Sequence, residues 1–510
     1  MLEEKLVEKP AMEGIEDLRP TPPGSARTWT WGVFAQAWAT MMVNSGTFSS
    51  GAALLSLGLS VPETLLAQSC GAVILLAGLI LNASAGVKYG IPFPVFARSS
   101  FGSGGAHFCT LSRGAVAIMW LSFQCWQGVL GIHAALGQVV GRARLRSWGR
   151  LGEHLDVAKL VILLLYLGLH AVLIQLGPAK LKRCISSVLP FMVMGILGIA
   201  VWAAFLCPVQ EALVAAEEST PESIGSKSIA FFAAMNSSIG TWSTLVLNVC
   251  DLSRFSPTQK DQALGQALGV PVPFVATLFI GMWLAGATTV AYGKAVWQIP
   301  DCFAHWPSMV SVLAGLVLAA ATLLVNVLAN IISPINDLMN VAPNHFTYRG
   351  CGFFVLILSV AVCPWWTFSG RITFVLNFLS GYAMITGAIA GIFMADYWIL
   401  RRRQLNVEEL YTKTGVNWKA LLAVLLGAAP LIPGFVDALI HQGGSAGHLV
   451  SPVWGHLYSG FSFLFSWSVA GTSYLLLSLG EFRTLRSKEL EFSNIASSSS
   501  EYSSPNSNSM

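Results

Sequence analysis

Charge is scarce in this sequence. Only 11% of its 510 residues are Asp, Glu, Lys or Arg, against roughly 25% in an average soluble domain, so a soluble protein of this length could not clothe its surface. No basic stretch interleaves with aromatics to track a phosphate backbone, and the net charge of +4 is spread over loops, which argues against nucleic acid as a partner. The nine cysteines follow no metal-ligand spacing. Cys70, Cys109, Cys125, Cys184 and Cys250 fall in or beside apolar runs and read as small buried hydrophobes, while Cys207 and Cys302 share one side of a membrane and leave a disulfide open. No Ser/His/Asp set or His/Asp/Glu cluster falls within the apolar runs, which argues against a membrane-embedded enzyme. Rings of charged side chains and repeated filter segments, the marks of a channel, are absent too. Nothing in the sequence asks for a cofactor or a metal.

Apolar residues are what the chain has: they make up 54% of it, with 48 glycines and a mean hydropathy of +0.63. That composition fits an all-α bundle of closely packed helices in a lipid bilayer. A hydrocarbon core of roughly 30 Å needs about 20 apolar residues per helix. Twelve stretches meet that template, numbered here as spans 1 to 12: 31–58, 62–84, 108–138, 158–178, 184–206, 228–250, 264–290, 308–334, 350–367, 371–398, 418–440 and 453–479. Residues 1–28 are polar and lack the apolar centre of a signal peptide. Residues 481–510 begin with Arg483, Arg486 and Lys488 and become Ser-rich, the composition of a disordered tail. An even number of spans puts both termini on one side, and a cytoplasmic placement leaves roughly 20 basic residues inside and about 7 outside. Arg401, Arg402 and Arg403 then lie inside, and the loop carrying Arg142, Arg144, Arg146 and Arg150 is the exception. This organisation predicts a plasma-membrane protein with cytoplasmic termini.

The spacing contains a repeat. Span 3 begins about 79 residues after the helical start near Trp29, and span 8 about 80 after span 6. Residues 29–206 and 228–399 thus form two five-helix units, the second entering from the opposite side, with two extra helices in 415–480. An inverted repeat of five predicts that the first helix of each unit is interrupted. Span 1 carries Asn44, Ser45 and Gly46, and span 6 carries Asn236, Ser237, Ser238, Ile239, Gly240 and Thr241, at matched positions.

Four ordered motifs add a family resemblance. The chain reads Tyr89-Gly90-Ile91-Pro92-Phe93-Pro94-Val95-Phe96-Ala97-Arg98 before span 3, and the two prolines predict a shaped loop. Span 6 runs into Leu247-Asn248-Val249-Cys250-Asp251-Leu252-Ser253-Arg254, span 8 ends in Ala329-Asn330-Ile331-Ile332-Ser333-Pro334-Ile335-Asn336-Asp337, and span 10 leaves as Ala395-Asp396-Tyr397-Trp398. Over about residues 20 to 435 the chain resembles the nucleobase-cation-symport-1 family. The resemblance implies a leucine-transporter-like fold, with five plus five inverted helices and breaks in spans 1 and 6. It also implies alternating-access import of uracil, allantoin or a related small ring, or of a vitamin ring such as pyridoxine.

Trp120 and Gln124 stand one turn apart on one face of span 3. An indole wall and a carboxamide suit a flat lactam or ureide ring. The resemblance implies that Trp242 is a second stacking aromatic, that Asn330 is a second amide with Asn326 one turn before it, and that Asn44, Gly240 and Thr241 supply further polar positions. Trp126 and Gln127 point away and read as packing. His133 and His170 each stand alone in a span, and Arg98 and Arg254 read as structural, with Asp251 a partner for either.

The resemblance also implies a sodium site built from backbone near Thr40, Val43 and Ala321 together with two hydroxyls on span 8. Here those two positions are Leu324 and Val325, with Thr322 the nearest hydroxyl, about 60° off the face. The sequence therefore predicts proton coupling, or no coupling, in place of sodium. It offers no obvious proton carrier, since no Asp or Glu lies deep in spans 1, 3, 6 or 8.

Overall fold

A computed structural model describes residues 18–176, 178–218, 226–342, 345–367, 372–440 and 451–501. Most of the N-terminal tail, 1–17, lies outside them. Among the described residues there are helices and a single isolated bridge, Arg150 to Asp156, and no strand. Among the described residues nine helices, matching spans 2 to 5, 7, 8 and 10 to 12, are long and apolar enough to cross a membrane. The rest of the expected set is present in other forms. Span 1 is divided, span 9 is short (Tyr348–Ala361), and span 6 (Lys227–Asn248) carries Asn, Ser and Thr through its middle. The apolar surface is turned outward: Phe205 is 85% exposed and Val272 72%, as lipid-facing positions are.

Span 1 divides into Trp31–Met42 and Ser45–Leu55. Val43 and Asn44 leave helical dihedrals, and the Asn44 carboxamide oxygen caps the second half by accepting from Gly46 N at 2.7 Å and Thr47 N at 3.1 Å. Span 6 departs from expectation, being continuous from Lys227 to Asn248. Its hydroxyls bond within the helix, Thr241 Oγ1 to Ser237 O at 2.8 Å and Ser243 Oγ to Gly240 O at 3.1 Å, and Asn236 is held by Ser459 and Ser462 of span 12. With those polar groups satisfied in place, nothing forces the backbone open.

Two proline readings are also corrected. The segment after Tyr89 is helical: Pro92 is the N-cap and Pro94 sits in the first turn of a helix, Phe93–Leu136, that includes span 3. Proline is favoured there because the first amides have no helical acceptor. The bend falls at Gly102 (φ 75°), where a β-carbon would stand 2.7 Å from Gly415 O. Span 8 likewise continues past Pro334 to Val341, through a π-helical turn at Asn326–Ile331. The ring of Pro334 needs relief from the carbonyl four residues back, and the wider turn supplies it. The last helix, Pro452–Glu501, runs beyond span 12 into the segment expected to be disordered, an extension that costs little once the packed part has nucleated it.

Spans 1, 2, 6 and 7 pack on one another, as do spans 3, 4, 8 and 9. Close approach in the first group rests on glycine. A β-carbon on Gly281 of span 7 would stand 2.1 Å from Phe48 O, and one on Gly51 2.2 Å from Leu278 O, so these backbones meet where only hydrogen fits. All nine cysteines are free, Cys207 and Cys302 included.

Candidate substrate site

Asn44, Gly46 and Thr47 from span 1, Thr241, Trp242, Thr244 and Leu245 from span 6, Trp120 and Gln124 from span 3, and Val325, Ala329 and Asn330 from span 8 line one narrow cavity. Both helix groups contribute. Its volume is about 20 Å³, room for about one water, so a ring enters only as the two groups part.

The polar contacts converge across that seam. Gln124 Nε2 donates to Asn44 Oδ1 at 3.2 Å, joining span 3 to the break in span 1. Asn44 Nδ2 donates to Met41 O at 2.6 Å and to Thr47 Oγ1 at 2.9 Å. Trp120 Nε1 donates to Tyr382 Oη at 3.3 Å, and Tyr382 Oη donates to Thr241 O at 3.3 Å. Gln124 Oε1 and Trp242 Nε1 are buried without a hydrogen-bond partner. One acceptor and one donor of the lining are therefore unsatisfied by protein, a state that costs roughly 1–3 kcal/mol per group.

Of the residues expected at the site, Asn44, Trp120, Gln124, Thr241, Trp242 and Asn330 share the lining. Gly240 and Asn326 are outside it. Asn326 is fully buried behind Asn330, accepting from Asn330 Nδ2 at 3.1 Å while its own Nδ2 lies 3.1 Å from His170 Nε2 and 3.4 Å from Cys125 Sγ. His170 Nδ1 stands 2.9 Å from Tyr166 O. Asn326 and Asn330 thus share a side of the helix, with Asn330 in the lining and Asn326 behind it. Trp126 packs against Trp365 at 6.3 Å, outside the cavity. Sequence reasoning missed Tyr382, whose residue type gave no signal, and Thr47, whose spacing of three from Asn44 marks a capping partner.

The expected ion positions have other engagements. Thr40 Oγ1 donates to Gln36 O at 2.8 Å. Val43 and Ala321 line an apolar groove of about 790 Å³ between spans 5 and 8. Leu324 and Val325 are buried, and Thr322 Oγ1 bonds to Tyr166 Oη at 2.8 Å and donates to Leu318 O at 3.0 Å. His133, in the last turn of the Phe93–Leu136 helix, lies 3.8 Å from Asp156 and lines a separate polar cavity with Arg142, Lys294 and Asp301. Burial there pushes the Asp301 carboxyl up, against the opposing charges of Lys294 and His305. Arg98 is structural, its guanidinium donating to Asn340 Oδ1 at 2.6 Å and to Leu410 O at 3.0 Å. Asp251 pairs with neither expected arginine; it accepts from Phe93 N at 3.1 Å and Asn336 Nδ2 at 3.2 Å.

The sequence profile of permeases for cytosine/purines, uracil, thiamine and allantoin matches residues 20–451. Among curated proteins, an allantoin permease of Bacillus subtilis (strain 168) is 32% identical over 431 residues, covering 81% of this chain and 85% of the relative. A purine-uracil permease of Arabidopsis thaliana is 28% identical over 443 residues, covering 83% and 72%. Among solved structures, a nucleobase-cation-symport-1 transporter in a closed conformation with bromovinylhydantoin bound superposes with a TM-score of 0.69 at 19% identity, covering 92% of this chain and 96% of that one. These relatives are permeases and not enzymes, and the last of them carries the same fold. A profile match across most of its length, on a fold of that kind, makes this chain a member of the cytosine/purine, uracil, thiamine and allantoin permease family, the nucleobase-cation-symport-1 transporters of nucleobase-like compounds.

Proposed function

We propose that this protein imports a flat, polar ring at the level of uracil or allantoin across the plasma membrane by alternating access, with cytoplasmic termini. The observation that carries the reading is the cavity itself: two indoles and three carboxamides, one of them capping the helix break, gathered where the two helix groups meet. A lactam or ureide presents an N–H beside a C=O, the complement of the unpaired Gln124 Oε1 and Trp242 Nε1. Trp120 and Trp242 supply the apolar faces, Asn330 reads the polar edge, and Asn326 with His170 fixes the Asn330 amide.

Transport is proton-coupled or uncoupled, not sodium-coupled. Support comes from span 8, where Leu324 and Val325 offer no side-chain oxygen and Thr322 is committed to Tyr166; a dehydrated cation with too few oxygens is left underhydrated. The test is uptake of labelled allantoin and of labelled uracil in cells lacking their own permeases. Saturable uptake competed by the unlabelled compound is expected, and it is expected to persist at fixed pH when choline replaces sodium. Absence of saturable uptake for every nucleobase-like ring removes the substrate reading, and a loss of more than about tenfold in choline removes the ion reading.

A further inference from the structure

Three ionisable side chains lie in the bundle core, outside the substrate cavity. Arg113 is on span 3, seven residues before Trp120, and Asp337 is on the extension of span 8, seven after Asn330. Seven residues are about two turns, roughly 10 Å, and the two helices run antiparallel, so both residues sit toward the same end of the bundle. Asp337 lies against Gly114, whose missing β-carbon would be 3.6 Å from Oδ2. Asp251, from the short helix after span 6, completes the set. All three are 1% exposed.

Their hydrogen bonds are unequal. Asp251 Oδ1 accepts from Phe93 N and Asn336 Nδ2, whereas neither oxygen of Asp337 has a partner in hydrogen-bond geometry, the Ser333 hydroxyl being its one nearby donor. Arg113 donates through Nη2 to Ala329 O at 2.5 Å, with Nε and Nη1 unpaired. Asp337 sits against the turn of span 3 that carries Arg113, at Gly114, and Asp251 is joined to the turn that carries Asp337 through Asn336. One cation thus faces two acids in a water-poor core, and a single proton makes the set neutral. The carboxylate with the fewer donors, Asp337, is the one to take it. Cys109 of span 3 is buried one turn before Arg113, Ser333 lies one turn before Asp337, and Asn340 one turn after it binds Arg98 and faces His107. None of these supplies a second buried cation beside Asp337.

We propose that Asp337 is a proton-binding site of the transport cycle, linked to the substrate cavity through Arg113 and the Ala329 carbonyl; the role in coupling rests on the proton-coupled reading above. In each cycle a proton from the outer solution forms an O–H bond on the Asp337 carboxylate while the cavity is open outward. That bond breaks to inner water once the inner side opens. Ionised Asp337 draws Arg113 away from Ala329, next to Asn330. Protonated Asp337 leaves Arg113 on that carbonyl, so the state of the acid is felt at the substrate's polar edge.

The first test needs no substrate. In pH-difference infrared spectra of the purified full chain, the carbonyl stretch of a protonated carboxylic acid is expected in wild type and Asp251→Asn and is lost in Asp337→Asn; a band retained at full amplitude in Asp337→Asn overturns the proposal. Should Asp337→Asn not fold, Asp337→Glu is expected to shift the band, and an unshifted band overturns it equally. The second test uses liposomes and labelled allantoin or uracil. Asp337→Asn is expected to keep exchange at equal pH within about threefold and to lose accumulation driven by acid outside; accumulation equal to wild type refutes the site. If the band vanishes in Asp337→Asn while wild type shows no gradient-driven accumulation, the proton site stands and the coupling reading falls.

Discussion

Trp120 and Trp242 are expected to act as the two apolar faces of the site, and removing either leaves a ring held from one side. Base-aromatic stacking is worth roughly 1–3 kcal/mol, or about 5- to 150-fold in affinity. Trp120→Ala and Trp242→Ala should therefore each weaken uptake by that order at unchanged membrane expression, and wild-type kinetics in either would remove the assignment. Gln124→Leu and Asn330→Leu alter hydrogen bonding and not stacking, so competition assays should show a changed ranking of ring analogues. Residue type and helical spacing alone put Trp120 and Gln124 on one face, whereas Trp242 and Asn330 came from the family resemblance; all four share the cavity lining. The Tyr382 hydroxyl, which bridges Trp120 to Thr241, was not legible in the sequence, because its value depends on a neighbouring helix. Asn326 lies behind the lining for a related reason: its partners Cys125 and His170 belong to other helices, which a helical period does not reveal.

At the scale of elements, similar polar clusters in spans 1 and 6 had different outcomes. An Asn that can cap opened span 1, while hydroxyls that bond back to their own helix left span 6 whole. The difference lies in how the polar groups are satisfied, which composition does not reveal. Proline was read in the same spirit as a stop, although at a first turn, or just after a wide turn, it is compatible with helix. Helix packing gives a sharper expectation. Gly281→Ala pushes a β-carbon into the Phe48 carbonyl and should lower stability by roughly 1–3 kcal/mol, seen as a lower midpoint in thermal unfolding of the purified protein. Gly168→Ala on span 4 meets nothing within 4 Å and should leave the midpoint unchanged or raise it; equal losses from both would show that close helix approach is not what Gly281 serves.

For the molecule as a whole, the hydropathy count and the five-plus-five spacing carried most of the architecture, because lipid forces helices of a fixed length. They could not show the two packing groups, which depend on contacts between spans far apart in sequence. The orientation is testable from the ends: a cysteine introduced at Ser503 is expected to resist a membrane-impermeant reagent in intact cells and react after permeabilisation, and labelling in intact cells would invert the assignment. The Gln124 to Asn44 hydrogen bond is one of the ties that hold the two groups together when the cavity is narrow. On the proposed substrate site it would act as a latch whose key is the cargo: a ring that claims the Gln124 amide would loosen the tie, whereas an empty carrier would have to break it unaided. The return of the empty protein should then be the slow limb of the cycle. Efflux of labelled compound from loaded liposomes should accelerate when unlabelled compound is added on the opposite side, and the acceleration should grow in Asn44→Asp, whose carboxylate still caps the helix and accepts more strongly from Gln124; equal efflux with and without compound on the far side would place the slow step elsewhere.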